Sequence, residues 1–260
     1  IPLPASLPPS FKGKAGTRPV LDGGTLVGKP DGIDLEGFCT GYNFIFAGLD
    51  LRNFTHSVSM IQWAGMCRFL DLDAGGARGG FYLHDASNVF VGQSRFHDDT
   101  NFGVALKGYS NTIEFQDCVV ENNGTLDGGG FEAEFTVDNV RLSRCVARNN
   151  AGEGFDLKVD GLQLDGCLAI HNTAGYALWR NGLLQNCEAF DNLRQGIALN
   201  RMPDDYPTQV VVNCTVAGAH GDAGIDVKAG VAAWIVNTIS VGSLSPALRF
   251  AAGTPPPQGR

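Results

Sequence analysis

Short stretches of alternating apolar and variable residues recur along the chain at a nearly regular spacing. In each stretch a small or turn residue, most often glycine, precedes the pattern apolar, any, apolar, any. From the first to the last stretch there are eight intervals over 192 residues, a mean of 24 residues per interval. The nine stretches begin at Ile33, Val58, Phe81, Val104, Phe131, Phe155, Tyr176, Ile197 and Ile225.

A second repeated feature consists of cysteines that each follow another alternating strand, such as Val140-Arg141-Leu142. Asparagine lies five residues after four of these cysteines, and Asp99 takes that place in the turn where Ser94 replaces cysteine. The cysteines are Cys118, Cys145, Cys167, Cys187 and Cys214, and the asparagines are Asn123, Asn150, Asn172 and Asn192.

These spacings predict an all-β fold, a single-stranded right-handed parallel β-helix of nine to ten turns of about 24 residues. Period-two alternation makes each strand half-buried, and 24 residues are too few for a strand plus a crossover helix. Each turn then stacks on its neighbour at about 4.8 Å, so like residues form ladders. We expect free thiols in the cysteine ladder and turn-satisfying amides in the asparagine ladder. A leucine-rich repeat is the alternative, but its leucine signature and helical segments are missing.

The composition predicts one domain over residues 1–260, with an N-terminal lead-in at 1–22 and a C-terminal tail at 243–260. With 43% hydrophobic residues the chain can bury a large core, and it contains no apolar run long enough for a membrane span. The net charge of −8 disfavours nucleic acid as a partner. The chain opens without Met on a Pro-rich stretch, which is typical of a trimmed N-terminus. We expect a monomer.

Two stretches, Asp127-Gly-Gly-Gly-Phe-Glu-Ala-Glu134 and Asn149-Asn-Ala-Gly-Glu-Gly-Phe-Asp156, resemble the family 9 pectate lyases of the pectate-lyase-like superfamily. The resemblance implies calcium ligands, which fall on Asp127, Glu153 and Asp156 here. Gly152 stands where the family has another aspartate, and the family's lysine base falls near Ala198.

The first stretch is also similar to mannuronan C5-epimerases, which carry Tyr-Gly-Phe-Asp-Pro-His-(Asp/Glu) on this strand. Glu132 stands for the aspartate and Glu134 for the histidine, while the aspartate of the next turn aligns with Lys158. Both resemblances cover about 70 residues, roughly Asp127 to Asn200, and both imply chemistry on the outward residues of this strand.

Because alternate side chains of a strand face outward, the outward positions of stacked turns form two parallel columns. Glu132, Glu134, Asp156 and Lys158 then make a compact square of three carboxylates and one ammonium. The first column holds Tyr82, Ala105, Glu132, Asp156, Ala177, Ala198 and Asp226. The second column holds His84, Lys107, Glu134, Lys158, Trp179, Asn200 and Lys228.

We therefore expect a secreted polysaccharide-processing enzyme, most simply a lyase that cleaves a uronic-acid-containing polysaccharide by β-elimination. The expected catalytic residues are Lys158, Glu134 and Arg180. The expected substrate-binding residues are Trp179, Lys107, His84, Tyr82, Asn200 and Arg201. Stacked carboxylates favour Ca²⁺ between them, so the expected metal ligands are Glu132, Asp156, Asp127 and Glu153.

Three other interpretations stay open. A C5-epimerase or an inverting glycoside hydrolase could use the same face, since two carboxyl groups about 6.5–9.5 Å apart suit inversion. A non-catalytic carbohydrate-binding or surface-scaffold β-helix would need only the fold. In that case Lys107, Glu134 and Lys158 would form a stabilising ladder of alternating charge. The segment His97-Asp98-Asp99 lies at the asparagine-ladder position, so a structural turn is favoured there over a metal site.

Overall fold

The computed structural model describes residues 10–12, 18–24, 28, 30–37, 43–62, 65–124, 128–134, 136–203 and 205–252. These residues form thirty short β-strands and no helix. Each strand pairs in parallel with the strand three positions later in the chain, which builds three ten-stranded sheets. No helix that is long and apolar enough to cross a membrane occurs in this part of the chain.

The three sheets, called sheets 1, 2 and 3, run side by side along the molecule. Sheet 1 contains β1 (Ser10–Lys12), β4 (Phe44–Ala47), β7 (Cys67–Leu70), β10 (Ser87–Gly92), β13 (Asn111–Gln116), β16 (Asp138–Ser143), β19 (Leu162–Asp165), β22 (Gly182–Gln185), β25 (Thr208–Val212) and β28 (Ala232–Val236). Sheet 2 contains β2 (Val20–Asp22), β5 (Asp50–Arg52), β8 (Asp73–Gly75), β11 (Arg95–His97), β14 (Val119–Glu121), β17 (Val146–Arg148), β20 (Leu168–Ile170), β23 (Glu188–Phe190), β26 (Thr215–Ala217) and β29 (Ile239–Val241). Sheet 3 contains β3 (Ile33–Glu36), β6 (His56–Ile61), β9 (Gly79–His84), β12 (Phe102–Lys107), β15 (Phe131–Ala133), β18 (Phe155–Leu157), β21 (Tyr176–Leu178), β24 (Ile197–Leu199), β27 (Ile225–Val227) and β30 (Leu248–Phe250).

The predicted all-β parallel β-helix is confirmed, because one strand of each sheet makes up each turn, or rung, of the solenoid. Ten strands in a sheet give nine steps from rung to rung. All nine stretches found by the period of 24 lie on sheet 3, and Phe131 pairs with Phe155, which in turn pairs with Tyr176. The period therefore measured the length of one rung.

Stacked aromatic rings fill the interior beneath sheet 3. The centroids of Phe131 and Phe155 lie 5.1 Å apart, and those of Phe155 and Tyr176 lie 4.8 Å apart, with nearly parallel planes. All three side chains are fully buried. A Cβ on Gly130, which precedes this column, would lie 2.5 Å from the carbonyl oxygen of Gly154, so the close approach of two rungs explains the glycine there.

The asparagine ladder is confirmed by its hydrogen bonds. The amide nitrogen Nδ2 of Asn123 donates to Oδ1 of Asn150 over 3.1 Å, and Asn150 donates to Oδ1 of Asn172 over 3.0 Å. Each Oδ1 also accepts from the backbone N–H of the preceding asparagine, as between Asn150 and Asn172 at 3.1 Å. Buried polar groups are thereby satisfied at every bend. The six cysteines in the described ranges are buried and free, as expected of the thiol ladder.

Asp99 occupies the next ladder position, as the spacing from Ser94 predicts. Its Oδ1 accepts the N–H of Ala77 at 2.8 Å, while its Oδ2 is buried without a hydrogen-bond partner among the described residues. Burial raises the pKa of Asp99 to about 8. The neighbouring His97 is also buried and contacts Asp73 and Asp98, which makes this segment a structural turn.

Parts of the predicted lead-in and tail join the sheets. In the lead-in, β1 pairs with β4 and β2 pairs with β5. In the tail, β30 pairs with β27. Residues 1–9, 13–17 and 253–260 lie outside the described residues.

Candidate functional site

Sheet 3 carries the outward carboxylates that the sequence places together. Glu132 on β15 lies in register with Ala105 on the preceding rung and Asp156 on the next. Inward neighbours on both strands are buried apolar residues, so the pleat turns Glu132 and Asp156 to the outside. The two carboxyl groups are therefore neighbours at the rung spacing of about 4.8 Å.

These residues border a small open pocket of about 120 Å³. Its floor is made by small and apolar residues of sheet 3, and its walls are charged. The charged residues that line it are Lys107, Glu132, Glu134, Asp156 and Lys158. The pocket thus unites three carboxylates with two ammonium groups, which is the predicted square plus the lysine of the preceding rung.

Each ammonium group in the pocket contacts one carboxylate. Nζ of Lys107 donates to Oε1 of Glu134 at 2.9 Å, and this bond raises the pKa of Lys107. Nζ of Lys158 donates to Oδ2 of Asp156. The other oxygen of Asp156 accepts the indole N–H of Trp179 at 2.7 Å, and Nζ of Lys158 lies 5.5 Å from the Trp179 ring centroid. Trp179 therefore forms a side of the site and orients Asp156.

Glu132 has no cationic hydrogen-bond partner among the described residues. Its Oε1 accepts the backbone N–H of Gly129 at 2.7 Å. Burial raises the pKa of Glu132 above its ordinary value, the Gly129 N–H opposes this shift, and the Asp156 carboxylate adds to it. A carboxyl group with a raised pKa beside ionised carboxylates is suited to exchanging protons with a substrate.

Aromatic side chains extend the site toward the N-terminal rungs. The ring of Tyr82 stacks on that of His56 at 4.9 Å and lies 6.4 Å from that of His84. Nδ1 of His84 lies 3.0 Å from a carboxylate oxygen of Asp85. Partial burial raises the pKa of Tyr82, which interacts electrostatically with Lys107. His56 was missed by the sequence analysis, although it lies two positions before an alternating stretch on the same sheet.

The structure does not bring the remaining predicted residues to the pocket. Arg180 directs its guanidinium to Asp160, at 2.9 Å, and to Asp205, at 3.3 Å. Asn200 is buried, and Arg201 donates to the carbonyl of Pro203 at 2.8 Å. Long side chains turned toward nearby acceptors in the loop before β25, a choice that alternation along a strand does not determine.

The predicted calcium ligands do not fit a calcium site within the described residues. Calcium prefers six to eight oxygen ligands, but both oxygens of Asp156 already contact Lys158 and Trp179. No group of three or more acidic, histidine or cysteine side chains in the described ranges converges as a metal site would require. The Glu153 carbonyl accepts the N–H of Gly130, and Asp127 lies outside the described residues.

Comparisons with solved structures agree with the architecture. The chain is similar to pectate lyase Pel9A, with 13% identity and a TM-score of 0.62, over 95% of this chain and 70% of that one. It is also similar to the A-module of the Azotobacter vinelandii mannuronan C-5 epimerase AlgE6, with 15% identity and a TM-score of 0.54, over 96% and 90%. The tailspike protein gp49 of Acinetobacter baumannii bacteriophage Fri1, a capsular polysaccharide depolymerase, has 13% identity and a TM-score of 0.54, over 89% of this chain and 48% of that one.

At such low identities these likenesses show a shared fold. A search of curated proteins gives no significant sequence match. A family model described as "Right handed beta helix region" matches residues 39–182. That segment is more than half of the chain, so the protein belongs to the right-handed β-helix family, as its repeats predict.

Proposed function

We propose that the protein is a polysaccharide-processing enzyme that cleaves a uronic-acid-containing polymer by β-elimination at the sheet 3 pocket. The observation that carries this proposal is the pocket itself, where Glu132 lies between two lysines and beside two other carboxylates. Three proteins of the same fold, a pectate lyase, an alginate-type epimerase and a capsule depolymerase, act on polysaccharides according to their names, which supports the substrate class.

In this proposal the two lysines bind the carboxylate of the substrate. Lys107 and Lys158 lie on the rungs before and after Glu134, and each can exchange its present carboxylate partner for a uronate. An ammonium group on the uronate carboxylate stabilises the negative charge that develops when the C5 proton leaves. This role replaces the calcium ion expected from the sequence, and it assigns Lys158 to charge neutralisation, not to proton abstraction.

Glu132 is then the group that moves the proton. Its raised pKa makes its carboxylate a stronger base than an ordinary glutamate, so it accepts the C5 proton more readily. The electron pair forms the C4–C5 double bond as the C4–O bond breaks. The protonated Glu132 can return the proton to the leaving oxygen. Trp179 and Asp156 hold Lys158 in place through their mutual contacts.

Glycoside hydrolysis is the second candidate, favoured by the different surroundings of two neighbouring carboxyl groups. Glu132 has a raised pKa and suits a general acid, whereas Asp156 contacts a cation and an N–H donor and suits an ionised base. The two reactions differ in product, since elimination leaves an unsaturated sugar and hydrolysis leaves a saturated reducing end.

The test is incubation of the protein with pectate, alginate, hyaluronan and bacterial capsular polymers. We expect at least one acidic polymer to yield the ultraviolet absorbance of an unsaturated uronate. Reducing ends without that absorbance would indicate hydrolysis, and inverted C5 configuration without chain cleavage would indicate an epimerase. Binding without any turnover, unaffected by Glu134→Gln, would indicate a non-catalytic scaffold and would overturn the proposal. Because such polymers lie outside cells, we propose secretion to the extracellular space or the periplasm.

A further inference from the structure

A second and larger concavity lies on the outward face of sheet 1, apart from the catalytic pocket. Its volume is about 580 Å³, within the range of pockets that bind small molecules. No residue of the sheet 3 pocket lines it. We call it the sheet 1 groove and define it by Arg68, Phe90, Glu114 and Arg141 with Asn88 and Asn139.

The four central residues form one outward column across four rungs. Phe90 lies in register with Arg68 on one side and Glu114 on the other, and Glu114 lies in register with Arg141. At about 4.8 Å per rung, the two arginines are separated by about 14 Å along the solenoid axis. The groove therefore offers a straight row of positions suited to an extended ligand.

The charge of this row is unusual for an acidic protein. Eight of the twelve arginines in the described ranges form an ion pair with a carboxylate, and Arg68 and Arg141 do not. The guanidinium of Arg68 instead lies over the Phe90 ring, 5.1 Å from its centroid. A guanidinium held on an aromatic face keeps its N–H groups available for a carboxylate.

Polar side chains flank the row on one side. Asn88, Thr112 and Asn139 stand on successive rungs, each with a positive φ between 53° and 57°. Their side chains line the groove beside the arginine column, where amide and hydroxyl groups can bond to sugar hydroxyls. Phe90 is half-exposed at the centre and can pack against the apolar face of a sugar ring.

We propose that the sheet 1 groove is a second, non-catalytic binding site for an acidic oligosaccharide, with Arg68 and Arg141 on its carboxylates and Phe90 against a ring. The site does not depend on chemistry at Glu132, since binding here needs no turnover. Its function would be to hold a polymer chain on the solenoid while another segment reaches sheet 3.

The experiment is isothermal titration calorimetry of the full chain with oligogalacturonate and oligomannuronate, with a neutral cello-oligosaccharide for comparison. The double variant Arg68→Gln/Arg141→Gln should lose one class of sites, or weaken its acidic-ligand binding by at least tenfold, because charge-assisted hydrogen bonds are lost. The matched control is Arg144→Gln, an exposed arginine near the end of β16 that is paired with Asp117 outside the groove. It should bind like the wild type.

Added salt should weaken the wild-type binding, since the ion pairs would be exposed to solvent. Unchanged affinity and stoichiometry in the double variant would overturn the proposal, as would equal binding of the neutral sugar or no acidic-ligand binding by the wild type. Turnover at sheet 3 with no loss in the double variant's binding would leave the proposed function intact and remove only the groove.

Discussion

Two Asp-x-Lys segments of sheet 3 occupy the same outward column and have different environments. In both, the lysine contacts the aspartate two residues before it, as Lys158 contacts Asp156 and Lys228 contacts Asp226. Asp226 also accepts two hydrogen bonds from Arg249 on the next rung, at 2.8 and 2.6 Å, and is fully buried. Asp156 instead meets the neutral indole of Trp179 and stays partly exposed.

The residue on the preceding rung makes the larger difference. Asp226 follows Ala198 in the column, whereas Asp156 follows Glu132. Burial alone would raise the pKa of Asp226, but its bonds to Arg249 and Lys228 outweigh burial and lower it. The Asp226 cluster is thus closed by cations, while the Glu132–Asp156 pair keeps one carboxyl without a cation partner. The same local motif therefore serves stability at one place and, as we propose, chemistry at the other.

The largest expected effect is that of Glu132→Gln on turnover. Removing the proton-transfer group should lower kcat on a responsive acidic polymer by at least about 100-fold. The thermal unfolding midpoint should stay unchanged or rise slightly, because a neutral amide avoids the cost of a partly buried charge. The matched control, Glu188→Gln on the exposed side of β23, should keep full activity. Equal activity in both variants would remove Glu132 from the mechanism.

The second effect separates the two Asp-x-Lys segments. Asp226→Asn should lower the free energy of unfolding by about 2 kcal/mol, since it leaves two cations facing a neutral amide and both are partly exposed. Turnover should not change. Because the pKa of Asp226 is lowered in the folded state, its contribution is present above its ordinary value of 3.8 and is lost as the pH falls below it. Urea unfolding at several pH values would measure this.

Asp156→Asn is the partner experiment. It should cost less stability than Asp226→Asn and more turnover, because it releases Lys158 and Trp179 from their present positions. The reverse order of the two variants in either property would show that the segments do not differ as described.

Asp99 is a third carboxyl, buried without any cation contact, and it extends the comparison into the core. Its folded-state pKa of about 8 lies above its ordinary 3.8, so the folded state gains protons and stability should fall as the pH rises between these values. Asp99→Asn should remove that fall and stabilise the protein near pH 8 by roughly 2 kcal/mol. Thermal unfolding of both proteins across this pH range is the measurement, and parallel curves would contradict the prediction.

The smallest expected effect is that of metal removal. Since Lys158 and Trp179 occupy the oxygens of Asp156, EDTA should leave turnover unchanged, and added calcium should not raise it. Loss of activity on chelation, with recovery on adding calcium, would show that an ion replaces Lys158 at Asp156.

Sequence periodicity determined most of the fold because a solenoid repeats its own register. The spacing of 24 residues, the asparagine ladder and the neighbour relation of Glu132 and Asp156 all follow from like residues stacking on successive rungs. The same rule, applied to the strands before the cysteines, would also have placed Arg68, Phe90 and Arg141 in one outward column.

The site was less predictable because alternation sets the side of a sheet and not the end point of a long side chain. Arg180 was expected at the pocket but pairs with Asp160 and with Asp205 in the loop before β25. Asp226 lies in the outward column, yet Arg249 from the final rung covers it. Both outcomes depend on acceptors or donors from distant rungs, which no local pattern contains.

A crystal structure of the Glu132→Gln variant with a bound acidic oligosaccharide tests the central claim most directly. We predict a uronate on the sheet 3 pocket with its carboxylate between Lys107 and Lys158 and its C5 atom facing position 132. Sugar bound only in the sheet 1 groove, or a uronate whose carboxylate points away from both lysines, would contradict it.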